Sequence, residues 1–116
     1  MKYVKVWFLL VIIAVAGLVF AATAQEVIKI GLSAPITGNY AEFGENFRYA
    51  VQMAADEINA TGGIRGKKVE VIVMDSKSDP REAAIIAQRF AQDLEILAVI
   101  GDFTSTASLA GAPIYE

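Results

Sequence analysis

Three consecutive hydroxyl residues, Thr104, Ser105 and Thr106, follow the apolar run 96–100 and Gly101, at a point that reads as the start of a helix. The first N–H groups of a helix have no partner inside it, and the helix dipole adds partial positive charge there. Hydroxyls beside such amides can receive an anion, for example a carboxylate. Asp102 lies in the same loop and completes the candidate set of ligand contacts: Ser105, Thr104, Thr106 and Asp102. Plain N-capping needs only one of the three hydroxyls, so on local sequence both readings stay open. A second loop, residues 33–44, is longer than most strand-to-helix connections. It carries Tyr40 and Phe43 in an otherwise polar stretch. They read either as one wall of an apolar ligand pocket or as satellite core over the first helix.

Other chemistries find no support. Asp75 and Asp79 bracket Ser76, Lys77 and Ser78 after the second apolar run, where a dinucleotide-binding fold would place an acid on a ribose. That reading needs a G-x-G-x-x-G turn after the first strand, and the chain has Gly31-Leu32-Ser33-Ala34-Pro35-Ile36. There is no phosphate-binding GxxxxGK[ST] loop and no G-x-S-x-G elbow. Histidine and cysteine are absent, which removes the commonest general base and the soft metal ligands, and no cofactor is expected.

The elements that must position these loops alternate strand and helix. Residues 27–32 are apolar and partly β-branched, a first strand. Phe47, Val51, Ala54 and Ile58 fall on one face of a helix expected from Glu45 to about Thr61, stopped by Gly62-Gly63. Residues 69–74 predict a second strand. Asp79 then stands as N-cap, Pro80 at the first helical position and Glu82 at N3, a capping-box pattern. Ala83, Ile86 or Ala87, Phe90 and Leu94 predict the buried stripe of that helix. The near-continuous apolar run 96–100 predicts a strand covered on both faces. Residues 107–116 read as a helix just begun, interrupted at Pro113, so the chain is expected to continue past Glu116. The β-α-β-α-β-α order with no hairpin signal predicts an α/β fold, a parallel sheet with helices on both faces. Ligands of such sheets sit beyond the carboxyl ends of the strands, where both candidate loops lie.

The first two dozen residues are of another kind. Lys2 and Lys5 precede an unbroken apolar run at 6–20, and Ala22-Thr23-Ala24 supplies a small-x-small site before Gln25. Residues 1–24 are therefore expected to be a secretory signal peptide cleaved after Ala24, with residues 25–116 as the mature part. Retention as a membrane anchor is the alternative, and the run sits near the short end of the spanning range. Cleavage removes two of the ten basic residues and none of the thirteen acidic ones, leaving a net charge of −5. Such a chain offers no phosphate-neutralising surface, and no nucleic acid partner is expected. The absence of cysteine excludes both disulfides and a lipid-modified cysteine after the signal.

The ordered set of motifs resembles a known family. It comprises Ile28-Lys29-Ile30-Gly31 with Pro35-Ile36-Thr37-Gly38, then Ala54-Ala55-Asp56-Glu57-Ile58-Asn59 with Gly62-Gly63-Ile64-Arg65-Gly66, then Asp75 through Asp79-Pro80, then Ala98-Val99-Ile100-Gly101. Together these are similar to the type I periplasmic binding proteins of the leucine/isoleucine/valine branch over residues 26–116. The resemblance implies two hinged α/β lobes, of which residues 25–116 are part of the first. It also implies an amino acid held between them, delivery to the membrane permease of an ABC importer, a periplasmic location, a monomer, and no catalysis. It places Ser105 on the ligand carboxylate and Phe43 in the pocket wall. Some members join two loops by a disulfide where this chain has Ser78 and Thr104. Relatives that bind amides, urea or aromatic acids share the pattern, as do sensing domains of anchored receptors.

Overall fold

The computed structural model describes residues 26–116; the expected signal segment lies outside them. Strand β1 (Val27–Ala34) is followed by helix α1 (Ala41–Ala60), strand β2 (Lys68–Asp75), helix α2 (Pro80–Gln92), strand β3 (Ile96–Ile100), helix α3 (Ser105–Gly111) and a 3-10 turn (Ala112–Ile114). All strands run parallel in the order β2-β1-β3. The α/β class, the parallel sheet and the element order are as the sequence predicts. Among the described residues no helix is long and apolar enough to cross a membrane.

β1 is central, and its second half, Gly31 to Ala34, is buried. Its residues alternate between two covered faces. Ile30 lies with α1 residues Val51, Ala55 and Ile58 on one side. Gly31 faces the Phe90 ring of α2 on the other, so closely that a Cβ there would stand 2.9 Å from a ring carbon. This close approach explains a glycine inside a strand that otherwise favours branched side chains. Ala83, Ile86, Ala87 and Phe90 are buried, as their helical spacing predicts. Ala107 of α3 joins them.

Local chemistry sets most boundaries. The Asp79 carboxylate accepts from the amides of Arg81 (2.7 Å) and Glu82 (3.3 Å), and Pro80 opens α2. The reciprocal half of the expected capping box is not needed, because the Asp79 amide donates to the Ser76 carbonyl at 2.8 Å. Asp79→Ala is expected to destabilise the fold by about 1 kcal/mol in urea unfolding; no change would show that α2 starts without it. Gly62 and Gly63 take φ of 102° and 76°, and their amides donate to the Asn59 and Ile58 carbonyls, ending α1 as predicted. Asn59 then ties α1 to β2: its side-chain amide donates to the Val69 carbonyl at 2.8 Å and its oxygen accepts from the Val69 amide at 2.7 Å.

Three expectations are corrected. α1 begins at Ala41 rather than Glu45, because backbone turns from Gly38 and Tyr40 start it without a side-chain cap. Phe43 therefore belongs to the first helical turn. Leu94, assigned to the buried stripe of α2, is 93% exposed, since the helix stops at Gln92. β3 is not covered on both faces: it is an edge strand, and a bulge leaves Leu97, 69% exposed, without a partner on β1.

Candidate functional site

The carboxyl ends of β1, β2 and β3 bring three loops together. After β1, the chain turns through Pro35, fully buried, into α1. A Cβ on Gly44 would collide with the Pro35 carbonyl, so the first turn of α1 lies directly on this loop. After β2, Asp75 gathers the neighbouring loop. Its Oδ1 accepts from the amides of Ile36 (2.9 Å), Thr37 (3.2 Å) and Lys77 (3.0 Å), and its Oδ2 from the Thr37 hydroxyl (2.5 Å). Partial burial pushes the Asp75 pKa up, but the donors from Thr37, Lys77 and Ile36 outweigh it and hold the carboxyl below its ordinary value. A depressed pKa stabilises the fold above the unfolded carboxyl's range, and the contribution fades as pH falls through the folded value.

The same loop holds two adjacent residues in the left-handed region, Lys77 (φ 53°) and Ser78 (φ 56°). Neither is glycine, so the conformation carries local strain. The Ser78 hydroxyl is buried without a hydrogen-bond partner among the described residues.

After β3, the candidate residues divide. Thr104 is the N-cap of α3, its hydroxyl accepting from the Ala107 amide at 3.4 Å. Asp102 is turned inward. Its Oδ2 accepts from the buried Ser33 hydroxyl at 2.9 Å and its Oδ1 from the Phe103 amide at 2.6 Å, while its own amide donates to Ser108 Oγ at 3.1 Å. It borders a hollow of about 160 Å³ behind α3, shared with Ser108 and Tyr115. Burial, and then the Asp102 charge, push the Tyr115 phenol up. Ser105 and Thr106, at the first two positions of α3, are exposed. Capping has thus been given to Thr104, which leaves the other two hydroxyls facing outward with the first amides of the helix.

Beside this helix start is an aromatic cluster. Phe103 stacks on Phe43 with centroids 4.6 Å apart and planes 14° from parallel. Tyr40 tilts against Phe103 at 5.3 Å, and Phe47 meets it edge-on at 5.9 Å. The cluster is open to solvent: Tyr40 is 43% and Phe43 47% exposed. Sequence reasoning named Tyr40 and Phe43 but missed Phe103, the ring that joins the two loops. The signal was available, since Phe103 is a large apolar residue in a polar loop two positions before Ser105. Phe47, placed in the buried stripe of α1, instead contributes to this open surface. The arrangement offers polar groups suited to an anion on one side and an apolar aromatic wall on the other.

Comparison with known proteins places the chain in a family. Residues 27–116 match the periplasmic binding protein family. An amino acid binding protein of Pseudomonas aeruginosa is 35% identical over 107 residues, covering 92% of this chain and 28% of the relative. A leucine-, isoleucine-, valine-, threonine- and alanine-binding protein of the same organism is 33% identical over 103 residues, covering 89% of this chain and 27% of the relative. Among solved structures, the branched-chain amino acid transporter substrate-binding protein of Streptococcus pneumoniae, in complex with isoleucine, is 38% identical with a TM-score of 0.73. That match covers 77% of this chain and 26% of the other. The chain spans about a quarter of the length of these relatives.

Proposed function

Because this chain belongs to the periplasmic binding protein family, we propose that residues 25–116 are part of the first lobe of a two-lobed receptor that captures an amino acid outside the cytoplasm. The receptor hands its ligand to the membrane permease of an ABC importer and performs no chemistry of its own. Residues 1–24 act as the export signal, removed after Ala24, and the mature receptor works as a monomer in the periplasm.

The observation that carries this reading is the division of labour at α3. Thr104 caps the helix, so the Ser105 hydroxyl and the first helical amides are free to meet a carboxylate. Phe43 and Phe103, one loop away, give an aliphatic side chain an apolar surface. A branched-chain or similar apolar amino acid suits both halves. Asp102 and Thr104 support the site from behind rather than touching the ligand.

An exposed apolar sheet edge fits a lobe of which residues 25–116 are only a part. The edge of β3 shows Leu97 and Ile100. Unprotected edges of this kind are normally covered in a finished fold. Closure of a second lobe over a ligand held on the first provides affinity and signals occupancy. Calorimetric titration of the exported full-length protein with leucine, isoleucine and valine tests the proposal. Saturable binding of at least one is expected, and no heat with any of the three would overturn the assignment.

A further inference from the structure

We propose that Asp75 is a positioning residue of this site: its carboxylate fixes the loop after β1, and through it the Tyr40 and Phe43 rings, against Phe103. The inference rests on the reading of the aromatic cluster as the ligand wall. Asp75 ends β2 level with Ala34, the last residue of β1. From there it reaches across the sheet to take two amides and one hydroxyl from Ile36 and Thr37, residues 38–39 positions away in the chain. Ser76 adds a backbone bond to the Ala34 carbonyl at 2.9 Å, so the two strand ends move as one.

Pro35 is buried under the first turn of α1, but among the described residues the stretch beyond it has no other side-chain anchor. Thr37, Gly38, Asn39 and Tyr40 are exposed, and α1 starts on backbone turns with no side-chain cap. Tyr40 is three residues beyond Thr37, and Phe43 one helical turn further. A displacement at Thr37 is therefore passed to both rings. Asp75 also accepts from Lys77, the first of the two strained residues, so one carboxylate oxygen sets two of the loops that rim the site. Charged acceptors of several amides are stronger than neutral ones, which suits a group that must order an otherwise exposed segment.

The experiment compares Asp75→Ala, Asp75→Asn and Thr37→Val in the full-length protein, with Tyr and Phe selectively labelled for NMR. Asparagine retains one oxygen for the three amides, while Thr37→Val removes the hydroxyl bond alone. Contacts between the Tyr40, Phe43 and Phe103 rings are expected to disappear in Asp75→Ala and to return in Asp75→Asn. Should Asp75→Ala fail to fold, Thr37→Val supplies the test: its Tyr40–Phe103 contact weakens if the proposal holds. Ring contacts unchanged in folded Asp75→Ala, or in Thr37→Val when alanine does not fold, would overturn it. Leucine affinity is read in parallel and is expected to fall about tenfold in Asp75→Ala. Loss of the ring contacts with undiminished leucine affinity would leave the hold of Asp75 on the rings intact and sink the reading of those rings as a ligand wall.

Discussion

Replacing Ser105 with alanine in the full-length protein is expected to weaken leucine binding by about 1–3 kcal/mol, roughly 5–150-fold, with little change in folding stability. The hydroxyl is exposed at the first position of α3 and has no part in the cap, which Thr104 provides. Its removal therefore takes nothing from the helix, but would leave a carboxylate bound there short of a donor. Thr104→Ala is the informative control. It removes the bond to the Ala107 amide, and its effect should fall mainly on stability. If Ser105→Ala binds leucine as the parent does, Ser105 is only a helix-starting residue and the ligand contact lies elsewhere.

Phe90→Ala should be the most damaging change to the fold itself, costing about 3–5 kcal/mol. The ring is 3% exposed and lies against the bare backbone of Gly31 at the centre of the sheet. Gly31, the residue of β1 directly against the ring, has no side chain to move into the space it leaves. A domain's whole stability is only about 5–15 kcal/mol, so this single change would bring the lobe close to unfolding. Chemical denaturation should show a lower midpoint with an unchanged slope. A loss below about 1 kcal/mol would mean that α2 is held by other contacts.

The features legible in the sequence were those written locally. The Asp79-Pro80 start of α2 is spelled in adjacent residues, as is the Gly62-Gly63 stop of α1. The Ala83, Ile86, Ala87 and Phe90 stripe repeats with the helical period, and it is buried. Periodicity failed where the partner surface was missing. Leu94, Leu97 and Ile100 have the composition of core residues, yet they lie past a helix end or along an open sheet edge. Composition reports what a residue would gain from burial; it does not report whether anything covers it.

The site was half legible for the same reason. Hydroxyls before a helix announce an N-terminus, so Thr104, Ser105 and Thr106 could be singled out, but not which one caps. That depends on the backbone: Thr104 is extended (φ −94°, ψ 143°) and so takes the cap. Asp102 was a candidate by position alone, and its engagement with Ser33 links residues 69 apart. The Phe43–Phe103 stack and the grip of Asp75 on Ile36 and Thr37 are likewise tertiary. Nothing local marks Asp75 as a loop anchor, because in a parallel sheet the ends of neighbouring strands are far apart in the chain.

The most direct test is to see the ligand. A crystal structure of the full-length protein with leucine or isoleucine is predicted to show the carboxylate within about 2.7–3.2 Å of Ser105 Oγ and of the first amides of α3, with the aliphatic chain against Phe43 and Phe103. A ligand bound elsewhere, with the start of α3 facing only solvent, would contradict the account.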